Sequence, residues 1–108
     1  MVILGIDPGL AIVGYGVLEY EKSRFRVLDF GAIRTPAGMR TEDRLCKIHR
    51  GMNELIDRYR PSEMAVEELF FVKNITTGIS VAEARGVILL AAREKGLNIG
   101  EYTPMQVK

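Results

Sequence analysis

At 108 residues, 47 % of them apolar, the chain fits one small domain, or most of one, with enough apolar content for a real core. Its net charge of +1 excludes a partner selected by bulk charge, so any nucleic-acid role must rest on locally clustered basic residues. One cysteine, Cys46, excludes an internal disulfide and fits a reducing, cytoplasmic setting; no signal peptide is visible at the N-terminus, and no apolar run approaches a membrane span.

Val2 to Ile6 reads as a buried strand ending in Asp7, where Pro8-Gly9 turns the chain at once. Residues 14–20 form a second strand with loose alternation. The charged stretch Glu21-Lys22-Ser23-Arg24 is a hairpin turn, and residues 25–34 return as a third strand that Thr35-Pro36-Ala37-Gly38 breaks. A helix is expected over 41–60, capped by Thr41 and with Glu42 and Asp43 in its first turn. Leu45, Ile48, Met52, Leu55, Ile56 and Tyr59 fall on one apolar face of it, and Pro61 forbids its continuation. Residues 63–71 form a fourth strand. A second helix spans 75–95, and the capping-box spacing of Ser80 and Glu83 places the start of its regular part there. Gly96 terminates it, and residues 97–102 form a fifth strand.

Short turns between the first three strands suit antiparallel pairing, and helical connections between the later ones suit parallel crossovers. The expected fold class is therefore α/β, a mixed five-stranded sheet with helices on its faces. Pro104 opens a new element just before Lys108, and one face of the sheet is left without cover. Residues 1–108 thus read as one domain, C-terminally truncated.

Asp7 sits where a buried sheet meets solvent. It is either a turn aspartate before Pro-Gly or a metal ligand, since a carboxylate there is costly without a partner and a divalent cation is one such partner. Glu67 and Glu68 close the fourth strand in the same way. As neighbours they point to opposite faces, so at most one of them faces Asp7. They are either an exposed pair or, taken with Asp7, part of a cation site built across neighbouring strands. Phe70 and Phe71 cannot both enter the core by alternation; the one left out is suited to stacking on, or wedging between, nucleic-acid bases, with Lys73 placed to meet phosphate. Arg44, Lys47 and Arg58 share a face of the first helix, interrupted by Glu54, and read as an ordinary solvated face. Cys46 and His49 have ligand-like spacing, but two ligands do not make a zinc site; Cys46 reads as a small core residue and His49 as a surface one. The second helix is apolar almost all round and needs cover on two sides: the sheet on one, and on the other a twin subunit admitted by Gly78, Ala82 and Gly86, or a further segment of chain.

Gly5-Ile6-Asp7-Pro8-Gly9 followed by Gly14-Tyr15-Gly16 resembles the start of the RuvC family of Holliday junction resolvases. Ala65-Val66-Glu67 with Phe70 and Lys73-Asn74, then Ala84-Arg85-Gly86-Val87, then Glu101-Tyr102 with Gln106-Val107-Lys108, continue the resemblance in order along the chain. It implies an RNase H-like fold and a homodimeric endonuclease that cuts four-way junction DNA with Mg²⁺, two ions per complete active site. Asp7 and Glu67 match two of the family's catalytic, metal-binding carboxylates. Phe70 matches an aromatic that engages bases near the junction centre, and Lys108 a basic residue near the active site. The second helix, between Gly78 and Ala92, matches the dimerisation helix, and a branch-migration helicase is an implied partner. The family's other two carboxylates lie on a C-terminal helix beyond Lys108, so these 108 residues alone are expected to cleave poorly or not at all. An RNase H-like nuclease of the YqgF type, a sugar-kinase or actin-like lobe, and a non-catalytic DNA-binding module are the rival readings.

Overall fold

The structure, a computed structural model, describes residues 1–9, 11–67 and 75–102. Glu68, Phe70, Phe71, Lys73 and Lys108 lie outside the described residues, as does the end of the fourth strand expected over 68–71. Five strands and two helices alternate as β1 (Val2–Asp7), β2 (Ile12–Glu21), β3 (Arg24–Arg34), α1 (Thr41–Tyr59), β4 (Glu63–Glu67), α2 (Ile75–Glu94) and β5 (Asn98–Tyr102). They form one sheet in the order β3-β2-β1-β4-β5. The β1–β2 and β2–β3 pairs are antiparallel, and the β1–β4 and β4–β5 pairs are parallel, each reached through a helix.

The hairpin between β2 and β3 turns on Lys22 and Ser23, both at positive φ, the twist that a two-residue connection needs to match its strands. A bulge beside Val17 and Leu18 lets β3 carry one extra residue, Leu28, which packs against the core. Alternation then sorts the sheet. Leu4, Ile6, Val13, Val17, Met64 and Val66 are buried on one face, and both helices pack there with Ile48, Met52, Leu55 and Ile56 of α1 and Ala84, Ile88, Ala91 and Ala92 of α2. The small alanines let α2 lie close to its neighbours. Gly51 does the same for α1: a Cβ there would stand 2.9 Å from Ile33 Cδ1 of β3. The opposite face carries Gly5, Asp7, Gly14 and Gly16, with Phe30 of β3 exposed.

Three local expectations are corrected. Thr41 is the first residue of α1 and not its cap; Arg40 occupies the cap position and no side chain caps the helix. The start of α2 is Ile75, so Ser80 and Glu83 lie inside the helix, where a three-residue spacing only makes them surface neighbours. Cys46 is exposed, because one step along the helix from Leu45 turns it off the buried stripe. His49 is half-buried and joins the helices: its Nε2 lies 3.0 Å from Glu94 Oε1 and its Nδ1 3.3 Å from Asn53 Nδ2. The C-terminal end of α1 follows the sequence, with Arg60 in the left-handed region before Pro61.

Candidate metal centre

In the parallel β1–β4 pair Ile6 stands opposite Val66, so the next residue of each strand, Asp7 and Glu67, emerges at the same sheet end. Both point away from the helices, since alternation gives the helix side to Ile6 and Val66. The turn after Asp7 depends on Gly9, where a Cβ would collide with the carbonyl oxygen of Ile12. The neighbouring strand keeps the ground clear: Gly14 stands opposite Asp7, where even a Cβ would approach Asp7 Cβ to 3.7 Å, and Gly16 faces open space. Tyr15 between them points to the helix side, which explains why glycines flank it.

Side-chain hydrogen bonding with Asp7, partial burial and the charge of Asp7 raise Glu67 above its ordinary value near 4.5. Two oxygen-rich groups held in repulsive proximity require either a shared proton or a cation. Their donor chemistry fits a hard divalent ion of the Mg²⁺ type, which is commonly held by one or two carboxylates while water and phosphate oxygens complete its shell. Among the described residues no group of three or more His, Cys, Asp or Glu side chains is placed to hold a metal ion.

The strand ends are fixed from behind by Arg85 of α2. Its Nε donates to the Glu67 carbonyl oxygen at 3.5 Å, and its Nη2 lies 3.0 Å from Glu101 Oε1 on β5, an ion pair by distance without an aligned hydrogen bond. Glu101 pairs in register with Val66 and so projects to the helix side, opposite to Glu67. Neither Arg85 nor Glu101 stands among the candidate site residues that the sequence offers. The signal for Glu101 was present, an acid near the end of an apolar strand as in β1 and β4. Arg85 had none beyond its place in the resemblance, because its partners come from two different strands.

An α/β sheet of this order, with acids at the ends of its central parallel strands, defines an RNase H-like domain. The family model for the crossover junction endodeoxyribonuclease RuvC matches residues 3–108, and the chain belongs to that family. The RuvC of Halothermothrix orenii is 56 % identical over the whole chain, which spans 66 % of that relative's length. The RuvC of Clostridioides difficile is 51 % identical, again over the whole chain, which spans 64 % of its length. The structure of Thermus thermophilus RuvC in complex with a Holliday junction substrate superposes with a TM-score of 0.91 at 36 % identity, covering all of this chain and 68 % of that one. Among the described residues no helix is long and apolar enough to cross a membrane.

Proposed function

We propose that the protein is a structure-specific DNA endonuclease that resolves four-way junctions by paired phosphodiester cuts in recombination and repair. The observation that carries this reading is the placement of Asp7 and Glu67, two carboxylates on one face at the ends of adjacent parallel strands, in a chain of this family. Asp7 and Glu67 hold Mg²⁺, two ions in the complete site. When bound, such ions supply charge neutralisation at the scissile phosphate and Lewis-acid activation of water. The chain's own contribution is placement. The strands fix both carboxylates, Gly14 and Gly16 leave room for a phosphodiester beside them, and Arg85 holds the backbone of Glu67 from the far side. Phe70 engages bases near the junction centre, while Lys73 and Lys108 contact DNA.

The protein acts as a homodimer through α2. Ile79, Ala82, Gly86 and Leu90 are exposed at helical spacing along it, an apolar stripe small enough in the middle for a second helix to approach closely. Two-fold symmetry gives two sites for two strands. A branch-migration helicase is the expected cellular partner, and the cytoplasm the setting. The test joins this chain to the C-terminal segment of a relative, which is expected to supply the remaining carboxylates, and incubates it with Mg²⁺ and a synthetic four-way junction beside a linear duplex. Paired symmetric nicks confined to the junction, lost in Asp7→Asn, are expected. Equal cutting of both substrates, preferential cutting of RNA, or full activity in Asp7→Asn would overturn the assignment.

A further inference from the structure

β3 is an edge strand of the sheet, and among the described residues its stretch 31–34 bonds no backbone other than that of β2. α1 packs over this stretch, Gly51 against Ile33, and a cleft of about 650 Å³ remains between helix and strand. Gly31 keeps the strand side low: a Cβ there would stand 2.7 Å from the hydroxyl oxygen of Tyr15, which lines the same cleft. Lys47, Arg50 and Arg58 of α1 and Arg34 at the end of β3 line it too, with Glu54 as the one carboxylate. None of the four cations has an ion-pair partner among the described residues, although Arg26, Arg40, Arg85 and Lys95 each have one. Asp29 is engaged elsewhere, accepting the Tyr59 hydroxyl at 2.7 Å and the Phe30 N–H at 2.8 Å. Unpaired like charges lining one concave surface focus a positive potential there.

The cleft lies on the helix side of the sheet, whereas Asp7 and Glu67 project from the opposite side, so its charge serves a different ligand from theirs. The free edge of a strand offers N–H donors and C=O acceptors in turn. A phosphodiester chain brings only acceptor oxygens to such an edge and leaves the carbonyls unmatched. An extended peptide matches both and adds a strand. Its side chains alternate between the two faces, so every second one meets α1, and the cations there select acids. From Lys47 to Arg58 the helix runs about 16 Å, the length of about five strand residues. We infer that this cleft docks an extended acidic peptide of a protein partner, which pairs with the outer edge of β3 and turns its carboxylates toward Lys47, Arg50 and Arg58. Such capture needs neither metal nor DNA.

The experiment is fluorescence anisotropy of this chain with a labelled peptide of alternating Glu and Thr. The same peptide with Gln in place of Glu is expected to bind about tenfold more weakly, the combined yield of three exposed ion pairs. Each of Lys47→Gln, Arg50→Gln and Arg58→Gln should weaken the acidic peptide about 1.5- to 5-fold. The Lys22→Gln/Arg24→Gln variant, at the hairpin on the opposite end of the sheet, should bind as the wild type does. The side chains changed are exposed or half-buried, and circular dichroism verifies that each variant is folded. Two further peptides carry N-methyl groups on every Glu or on every Thr, and each set of amides lies along one edge of an extended chain. One of the two should lose binding and the other keep it, a readout that charge attraction alone does not give. Equal binding of both N-methylated peptides, or of the Glu and Gln peptides, would overturn the inference while leaving the proposed function standing, as would a wild-type chain with no saturable binding. A linear DNA duplex that displaces the peptide and is weakened by the same three variants would overturn it too and assign the cleft to nucleic acid.

Discussion

Strand pairing, and not their own preference, sets Asp7 and Glu67 side by side, so that without a proton or a cation between them the two carboxylates repel. Because the folded state raises Glu67 above its unfolded value, the favourable contribution of its proton is complete below about pH 4.5 and is lost as pH rises through the raised value. Metal-free protein is therefore expected to lose stability over that window in urea titrations. Asp7→Asn removes the hydrogen-bonding carboxylate and the charge together. It should flatten the profile and, above the window, stabilise the metal-free chain by no more than about 1 kcal/mol, the scale of exposed charge pairs. Mg²⁺ should reverse the ranking, since an ion at a hundred times its Kd adds about 2.7 kcal/mol to the wild type and little to the variant. A variant that is destabilised at pH 7.5 without metal would show that the pair is not repulsive. Arg85 works at the same scale. Arg85→Ala removes a side chain that is 16 % exposed and ties α2 to two strands, and should cost about 1 to 3 kcal/mol, read as a fall in urea midpoint.

The strands and helices place these side chains because glycine occurs where two pieces of backbone must meet. A methyl group at Gly9 meets the carbonyl of Ile12, and one at Gly51 meets the side chain of Ile33. The two obstacles differ in kind: the backbone of Ile12 cannot swing away, whereas the end of Ile33 can. Gly9→Ala should therefore cost more than Gly51→Ala within the range of about 1 to 3 kcal/mol typical of overpacking, and thermal melts of the two variants test the ranking. Most of this element level was legible in the chain. The first strand announced itself by an apolar run, the second by loose alternation, the turns by Gly, Pro or charge, and α1 by its stripe at 48, 52, 55 and 56. The site was legible as two strand-end acids, because β1 and β4 end with the same apolar-to-acid step. What stayed hidden depends on the third dimension. The exposure of Cys46 is set by a single step of helix rotation.

For the whole molecule, the proposed dimer rests on α2. One of its faces is spent on the core through Ala84, Ile88, Ala91 and Ala92, while Ile79 and Leu90 stay 57 % and 56 % exposed on the other, on either side of the bare backbone of Gly86. A second α2 related by two-fold symmetry would cover both large residues at once. If so, Leu90→Glu places like charges against each other across the axis and should convert a dimer to a monomer in sedimentation-velocity runs. The melting temperature of the monomer should stay within a few degrees at low protein concentration, because Leu90 contributes little to the core of its own chain. The same substitution should leave the Mg²⁺-dependent stabilisation of each chain intact, since Asp7 and Glu67 belong to one protomer. In the chain joined to a relative's C-terminal segment it should abolish the pairing of cuts on a junction, giving single nicks. A Leu90→Glu protein that sediments as the wild type does would move the dimer contact off α2 and leave the apolar stripe to another segment of chain.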